Sequence, residues 1–435
     1  MSFIIQNELF PTPDTAPLGK TVREIKDKRS GTFVDNLKLP VHRWFRYSAG
    51  FSAGWACELM KDKRCSVLDP FAGSGTTLLV AESLGIEALG FEAHPFIYRV
   101  ARAKLLWHLP TSEFIRACAA VIENTEAQNQ SSEAKMNGLL SKCYSASALS
   151  KLLALRAAYL DLKNDDPVWE LVWLALTGIL RSCSNAGTAQ WQYILPNKKK
   201  SKVIDPTIAF RAMTQNMSED MEFAQRAGWK KSATIELTDA RNPAISVSGK
   251  YSLVITSPPY PNNYDYADAT RLEMTFWGEV TGWGELQEVV RKYLIRSCSQ
   301  HSAAEKLVLH DLIENPLLKP IQAELQPICE SLAEIRLTKG GKKTYHTMIV
   351  AYFLDLAEVW GALRFLCAPG AEVCFVIGDS APYGVYVPVD KWLGDLALSH
   401  GFKNFKFEKI RDRNVKWKNR KHRVPLHEGR LWVYG

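Results

Sequence analysis

Apolar and polar positions along this 435-residue chain follow two periods. Short unbroken apolar runs between turn residues predict buried strands. Runs with apolar residues three and four apart predict helices. From Ser66 the order is strand, glycine turn, helix, strand, helix: CSVLD, FAGSG, TTLLVAESLG, IEALGFE and HPFIYRVARAKLLW. Gly85 is placed to cap the first of these helices. Such alternation implies parallel strands joined by right-handed crossovers, hence an α/β fold. The segment LPVHRWFRYSAGFSAGWACELM (39–60) precedes it, with its second half predicted helical.

From about Leu109 to Lys231 the alternation gives way to Ala- and Leu-rich helical periodicity, as in SASALSKLLALRAAYL and DPVWELVWLALTGILRS, which predicts an inserted helical subdomain. It ends in QWQYILPNKKKSK, where a lysine cluster reads equally as a solvated loop or a phosphate contact. Strands resume at SATIELTD and YSLVITS. A second, polar and helical insertion runs from roughly Glu279 to Tyr345. A long helix (347–367), a strand (AEVCFVIGDS), a helix (VPVDKWLGDLALSHGF) and strands KNFKFEKI and GRLWVYG complete the pattern. The expected organisation is an extended arm at 1–38, a core of 39–109, 232–278 and 346–435, and insertions at 110–231 and 279–345, either of them a candidate for target recognition.

Composition narrows the class. With 46% hydrophobic and 23% charged residues the chain can bury a sizeable core, which excludes disorder as its main state. The longest apolar stretch, Val168 to Leu180, contains Glu170 and is too short to span a bilayer. The N-terminus lacks the charged and apolar regions of a signal peptide. Nine cysteines, an odd number, lie far apart with no C-x-x-C pair. That argues against a disulfide framework or a metal site and for a reducing cytoplasm. A net charge of +8 mildly favours a polyanionic partner.

The first glycine turn, VLDPFAGSGTT, carries Asp69, Phe71, Gly73 and Gly75. The glycines let the backbone adopt unusual φ and approach a ligand. No lysine follows Gly75, so this is not a triphosphate loop. Leu78 stands where a dinucleotide turn has its third glycine. Asp69 suits a cationic amine instead. Glu92, at the end of the second strand, can accept both hydrogen bonds of a ribose diol. Asp239, ending the third strand, can accept from an adenine amine. Amine, ribose and adenine together describe S-adenosylmethionine.

TSPPY (Thr256 to Tyr260) follows the apolar strand YSLVI. Two consecutive prolines fix φ and remove two N–H donors, leaving nearby carbonyls unpartnered. The Ser257 hydroxyl and a carbonyl, that of Pro258, would accept the two hydrogens of an exocyclic amine on a planar base. Pro259 completes the rigid turn, and Tyr260 would stack on the base. No G-x-S-x-G or His/Asp arrangement makes Ser257 a nucleophile.

TSPPYPNNYDYADATRLEMTFWG resembles the catalytic motif of the amino-directed, site-specific DNA methyltransferases, in the SPPY form linked to cytosine-N4. VLDPFAGSGTT resembles their cofactor motif, LPVHRWFRYSAGFS the motif closing over the methionine end, LTDAR the motif with the adenine contact, and RVPLHEGRLWVYG the final hairpin strand. The resemblance implies a Rossmann-like S-adenosylmethionine-dependent methyltransferase fold, a seven-stranded mixed sheet with helical insertions. It also implies methyl transfer to a flipped-out base, with double-stranded DNA as partner and a cognate restriction nuclease or defence-system subunit as a candidate second one. The alternatives are an adenine-N6 DNA methyltransferase, an RNA guanosine-N2 methyltransferase and a non-catalytic cofactor-binding subunit. Ser257 argues against the RNA enzyme, whose relatives usually carry Asp or Asn there. The segment Lys403 to Arg423 holds ten Lys or Arg and two acids. Arg411, Arg413, Lys416 and Lys418 are expected in a loop contacting phosphates beside the target base.

Overall fold

The computed structural model describes residues 33–61, 63, 65–127, 138–189, 192–243, 248–262, 264–341, 343–413 and 424–435. Most of the arm expected at 1–38 lies outside them, as do Lys416 and Lys418.

Seven strands form one sheet: β1 (Val67–Asp69), β2 (Ala88–Glu92), β3 (Ala233–Leu237), β4 (Tyr251–Thr256), β5 (Cys367–Gly378), β6 (Asn404–Arg413) and β7 (Leu426–Tyr434). Their spatial order is β3-β2-β1-β4-β5-β7-β6. β1 to β5 run parallel, and β7 pairs antiparallel with both β5 and β6. This is the mixed sheet of the S-adenosylmethionine-dependent methyltransferase fold. The strand order reverses between β1 and β4, so the crevice beyond their carboxyl ends is where such a sheet takes a ligand.

The central strands are largely apolar because both faces are covered. Val67, Leu253, Ile255, Cys374 and Val376 pack to one side with helices α1 (Ala53–Met60), α2 (Thr76–Leu84) and α3 (Pro95–Lys104). Leu68, Val254, Phe375 and Ile377 pack to the other, against α9 (Gln322–Leu337), α10 (Tyr345–Leu366) and α11 (Val389–Ser399). Helix α10 is buried on nearly all sides, and Trp360 stacks on Phe375 with ring centres 4.5 Å apart.

The first insertion has no core of its own. Helices α4 (Thr111–Ala127), α5 (Ala146–Leu162), α6 (Val168–Ile179) and α7 (Pro206–Arg226) pack Phe114, Leu152, Trp173 and Phe210 into the same apolar cluster as Phe96 and Leu78 of the sheet face. Asp220 of α7 is fully buried. Its carboxylate accepts from Val41 N (3.0 Å), Arg43 Nε (3.0 Å), Arg43 Nη2 (2.8 Å) and Trp44 Nε1 (2.8 Å), tying residues 41–44 to the insertion.

Two local differences from the sequence pattern bear on the site. The stretch before α7 contains an antiparallel hairpin, Ala186–Thr188 with Ile194–Lys199, so Lys198 and Lys199 of the lysine cluster lie on a strand. Strand β6 continues to Arg413. Arg411 and Arg413 therefore sit on a strand paired with Glu428 and Leu426 of β7, not in the loop expected there. Among the described residues, no helix is long and apolar enough to cross a membrane.

Candidate active site

The glycine turn leaves β1 at Asp69 and enters α2, with φ of 53° at Gly73 and 87° at Gly75, values that disfavour any side chain. The Asp69 carboxylate is buried. It accepts from Phe71 N (3.1 Å), Thr256 Oγ1 (2.6 Å) and Thr77 Oγ1 (2.5 Å). Burial pushes its carboxyl up to about 6, against the pull of those three bonds. The contact with a cationic amine expected of Asp69 therefore has no support in its surroundings. Its bonds fasten the turn to Thr256, the residue before Ser257, and its neighbours Pro70, Phe71 and Gly73 face the cleft.

That open cleft lies over the carboxyl ends of β1 to β4 and is lined by Tyr47, Phe71, Gly73, Glu92, Asp239 and Ser257 among others. Glu92 ends β2, and its two oxygens accept from Gly73 N (2.9 Å) and His94 N (2.8 Å). Burial pushes its carboxyl up to about 7; those two N–H groups oppose the shift and the nearby Asp69 charge adds to it. Tyr47, from the segment 39–60, covers the turn so closely that a Cβ on Gly73 would lie 3.2 Å from its ring. Asp239 lines the cleft beyond β3. Its carboxylate is already clasped by Arg241 at 2.5–3.0 Å, and Arg241 also reaches Asp355 (3.0 Å).

Sequence reasoning missed one wall. Tyr293, Leu294 and Ile295 of the second insertion line the cleft together with Thr238, Asp239 and Ala240. The next residue, Arg296, holds them there: its N and guanidinium bond the buried Asp355 (2.5–3.1 Å). Asn262 N, just past TSPPY, donates to Ser297 O (2.8 Å). The short apolar run YLI in a polar stretch was the available signal.

Ser257 and Pro259 line the cleft from the end of β4, while Pro258 is buried. The Ser257 hydroxyl donates to Val376 O of β5 (3.1 Å). Tyr260 is not part of the cleft wall. Its ring carries the Arg413 guanidinium, 5.2 Å from the ring centre. Burial and the Glu428 charge push its phenol well up, so it stays protonated. Tyr266 also lines the cleft, whereas Leu272, Met274 and Phe276 are core residues, as their helical spacing suggested.

The hairpin of the first insertion is keyed into this loop. Asp265 N donates to Tyr193 Oη (2.6 Å), and Tyr193 stacks on Tyr264. Arg181 joins Glu273 (2.5 and 3.0 Å), Gln192 O (2.6 Å) and Ala269 O (2.7 Å). Gln192 in turn holds Ser48 N and Arg46 O. Of the phosphate contacts expected from the basic segment, Arg411 is paired with the buried Glu428 (2.9 Å) and Arg413 donates to Asp379 O (2.7 Å). Both guanidiniums thus have partners within the protein. Among the described residues, Asp379, Asp390 and His427 bring ligand-type atoms within 4.8 Å of one another. His427 Nδ1 lies 2.6 Å from Asp379 Oδ2, which braces the end of β5.

A family model described as DNA methylase matches residues 58–103, from the end of α1 through the turn and Glu92 into α3. The type II methyltransferase M.BsoBI of Geobacillus stearothermophilus is 26% identical over 434 residues, covering 90% of this chain and 84% of that protein. The type II methyltransferase M.AvaI of Nostoc sp. is 26% identical over 416 residues, covering 88% of this chain and 83% of its own length. This chain is similar to the amino-directed DNA methyltransferases. Its cofactor is S-adenosylmethionine, the methyl donor of such enzymes. The cleft fits that molecule. Its partly buried carboxylate at Glu92 suits a diol, and Phe71 and Ile295 offer apolar walls to a flat ring near Asp239.

Proposed function

We propose that this chain is a type II DNA methyltransferase acting on an exocyclic base amine, cytosine-N4 in first place, as part of a restriction–modification pair. The observation that carries the reading is the meeting, in one cleft, of Ser257 and Pro259 from the end of β4 with Glu92 from the end of β2. Glu92, Asp239 and the apolar wall at Ile295 would hold S-adenosylmethionine, which supplies an electrophilic methyl when bound. The protein's part is to present the amine. The Ser257 hydroxyl and the Pro258 carbonyl accept its two hydrogens, which draws the nitrogen toward sp³ geometry and frees its lone pair for in-line displacement. A paired base cannot reach the end of β4, so the target must leave the stack. A nuclease of the same specificity would be the partner. All nine cysteines are free, in keeping with a reducing cytoplasm.

Expression in cells lacking DNA methylation, followed by nucleoside analysis and methylation-aware sequencing, tests the reading. N4-methylcytosine at a defined site is expected. N6-methyladenine would overturn the cytosine assignment, and unmodified DNA with intact cofactor binding would overturn the enzyme.

A further inference from the structure

We propose that duplex DNA lies along the hairpin of the first insertion, its phosphates held by Arg46, Lys198 and Lys199. This rests on the DNA methyltransferase reading above and gives the DNA-facing side to the first insertion, not the second.

The hairpin tip abuts the end of the cleft where Ser257 stands. Tyr193 Oη accepts from Asp265 N (2.6 Å) in the loop after TSPPY. Gln192 Nε2 donates to Arg46 O (2.7 Å), one residue before Tyr47 of the cleft wall. The hairpin is short. Gly187 pairs with Leu195 but its neighbour Ala186 pairs with Lys199, so Pro196, Asn197 and Lys198 bulge out of the ladder. Lys199 is thus opposite Ala186, and from there to Thr188 beside the tip is only about 7 Å, at about 3.3 Å per residue. Phosphates along one DNA strand recur about every 3.4 Å of helix axis. The two lysines therefore stand within a few nucleotides of a base that enters beside TSPPY.

Arg46, Lys198 and Lys199 are exposed, and among the described residues none of the three has an acidic partner. Arg46 lies against the Phe33 ring, 5.8 Å from its centre. Partial burial and the Arg181 charge lower the pKa of its guanidinium, as expected of a cation that has another cation and no anion beside it. The acids around the hairpin are already paired: Glu273 with Arg181, Asp265 with Arg291, Asp205 with Lys151. The second insertion presents the opposite case. Its Arg291, Lys292 and Arg296 are bound to Asp265, Glu288 and Asp355, and its Tyr293 to Ile295 line the cleft beside Asp239. Surplus cations at the target end of the cleft suit a phosphate backbone, whose contacts fix register and orientation.

The experiment measures the affinity of the full chain for two duplexes at several salt concentrations, one with the site mapped for the wild-type enzyme and one without it. R46Q, K198Q and K199Q combined should reduce the slope of log affinity against log salt by about 2.7, roughly 0.9 for each phosphate contact. The loss should be the same on both duplexes, because phosphates carry no sequence. The urea midpoint and calorimetric S-adenosylmethionine affinity should stay parental. K319Q with K339Q, both exposed in the second insertion, should keep the parental slope. A parental slope in the triple variant, an equal fall per charge in the K319Q and K339Q pair, or a loss confined to the target duplex would each overturn the proposal. DNA left unmodified by the wild-type enzyme would overturn the methyltransferase reading and this inference together, whereas a methylated base with an unchanged slope in the triple variant would overturn the inference alone.

Discussion

Glu92 makes cofactor affinity depend on pH, in a direction fixed by its surroundings. Its carboxyl is pushed up to about 7 from an ordinary 4.5, mainly by burial. Hydrogen bonds from a ribose diol require the ionised form, so binding selects that form and releases a proton. Below about pH 7, each unit of acidification should weaken S-adenosylmethionine binding about tenfold, or about 1.4 kcal/mol. Above pH 8 the affinity should be level. Glu92→Gln keeps the shape but removes the charge. Its amide nitrogen must also face either Gly73 N or His94 N, donor against donor. Losing charged hydrogen bonds worth about 1.5–3 kcal/mol should weaken binding about 10–150-fold and flatten the pH profile. The stability of the ligand-free protein should run the other way. A raised folded-state value means the fold favours the protonated group. That contribution is fully present below about pH 4.5 and is lost as pH rises through about 7. Glu82, also pushed up to about 7 by burial, adds to the same slope. Calorimetric titration at half-unit steps from pH 5.5 to 8.5 reads the first effect. Urea unfolding with and without cofactor reads the second. A wild-type affinity constant across that range, or a parental slope retained in Glu92→Gln, would refute the assignment.

Ser257→Ala should lower methyl transfer by on the order of 10²-fold or more while leaving calorimetric cofactor affinity unchanged, because its hydroxyl serves the amine; parental turnover would remove it from the mechanism. Asp220→Ala leaves the Arg43 guanidinium buried without its carboxylate and should cost about 3–5 kcal/mol, read as a lowered urea midpoint. Tyr293→Ala should weaken cofactor binding by about 1 kcal/mol, the scale of one aromatic contact, without changing the affinity for DNA. Neutralising Lys416 and Lys418 should reduce the slope of log DNA affinity against log salt by roughly 0.9 for each phosphate that the two lysines neutralise; an unchanged slope would assign them to solvent.

Features written locally could be read from the chain. Strand and helix periods, the glycine turn at 73–75 and the two prolines after Ser257 are set by neighbours in sequence, and the sheet formed from them. What escaped reading depends on distant partners. The 186–199 hairpin carries a glycine and a lysine run that are poor strand signals. Gln192, Tyr193 and Arg181 hold its inner end against Ser48, Asp265 and Glu273. The wall at Tyr293 to Ile295 became visible only once Arg296 was seen to anchor on Asp355. Asp69 looked like a ligand contact because it stands at a strand end, yet Thr77 and Thr256 had already taken its oxygens. Arg411 and Arg413 read as loop residues contacting phosphates because their partners within the protein, Glu428 and the Tyr260 ring, lie elsewhere in the chain.

The grip of Asp220 on Val41, Arg43 and Trp44 orders events during synthesis. Residues 41–44 leave the ribosome early but find their anchor only after some 176–179 further residues have been added. At about 5–20 residues per second, that wait is roughly 10–35 s. Through that interval Tyr47 has no fixed position over the glycine turn. A chain truncated before α7 would carry every motif of the turn and still lack the means to close it over a cofactor.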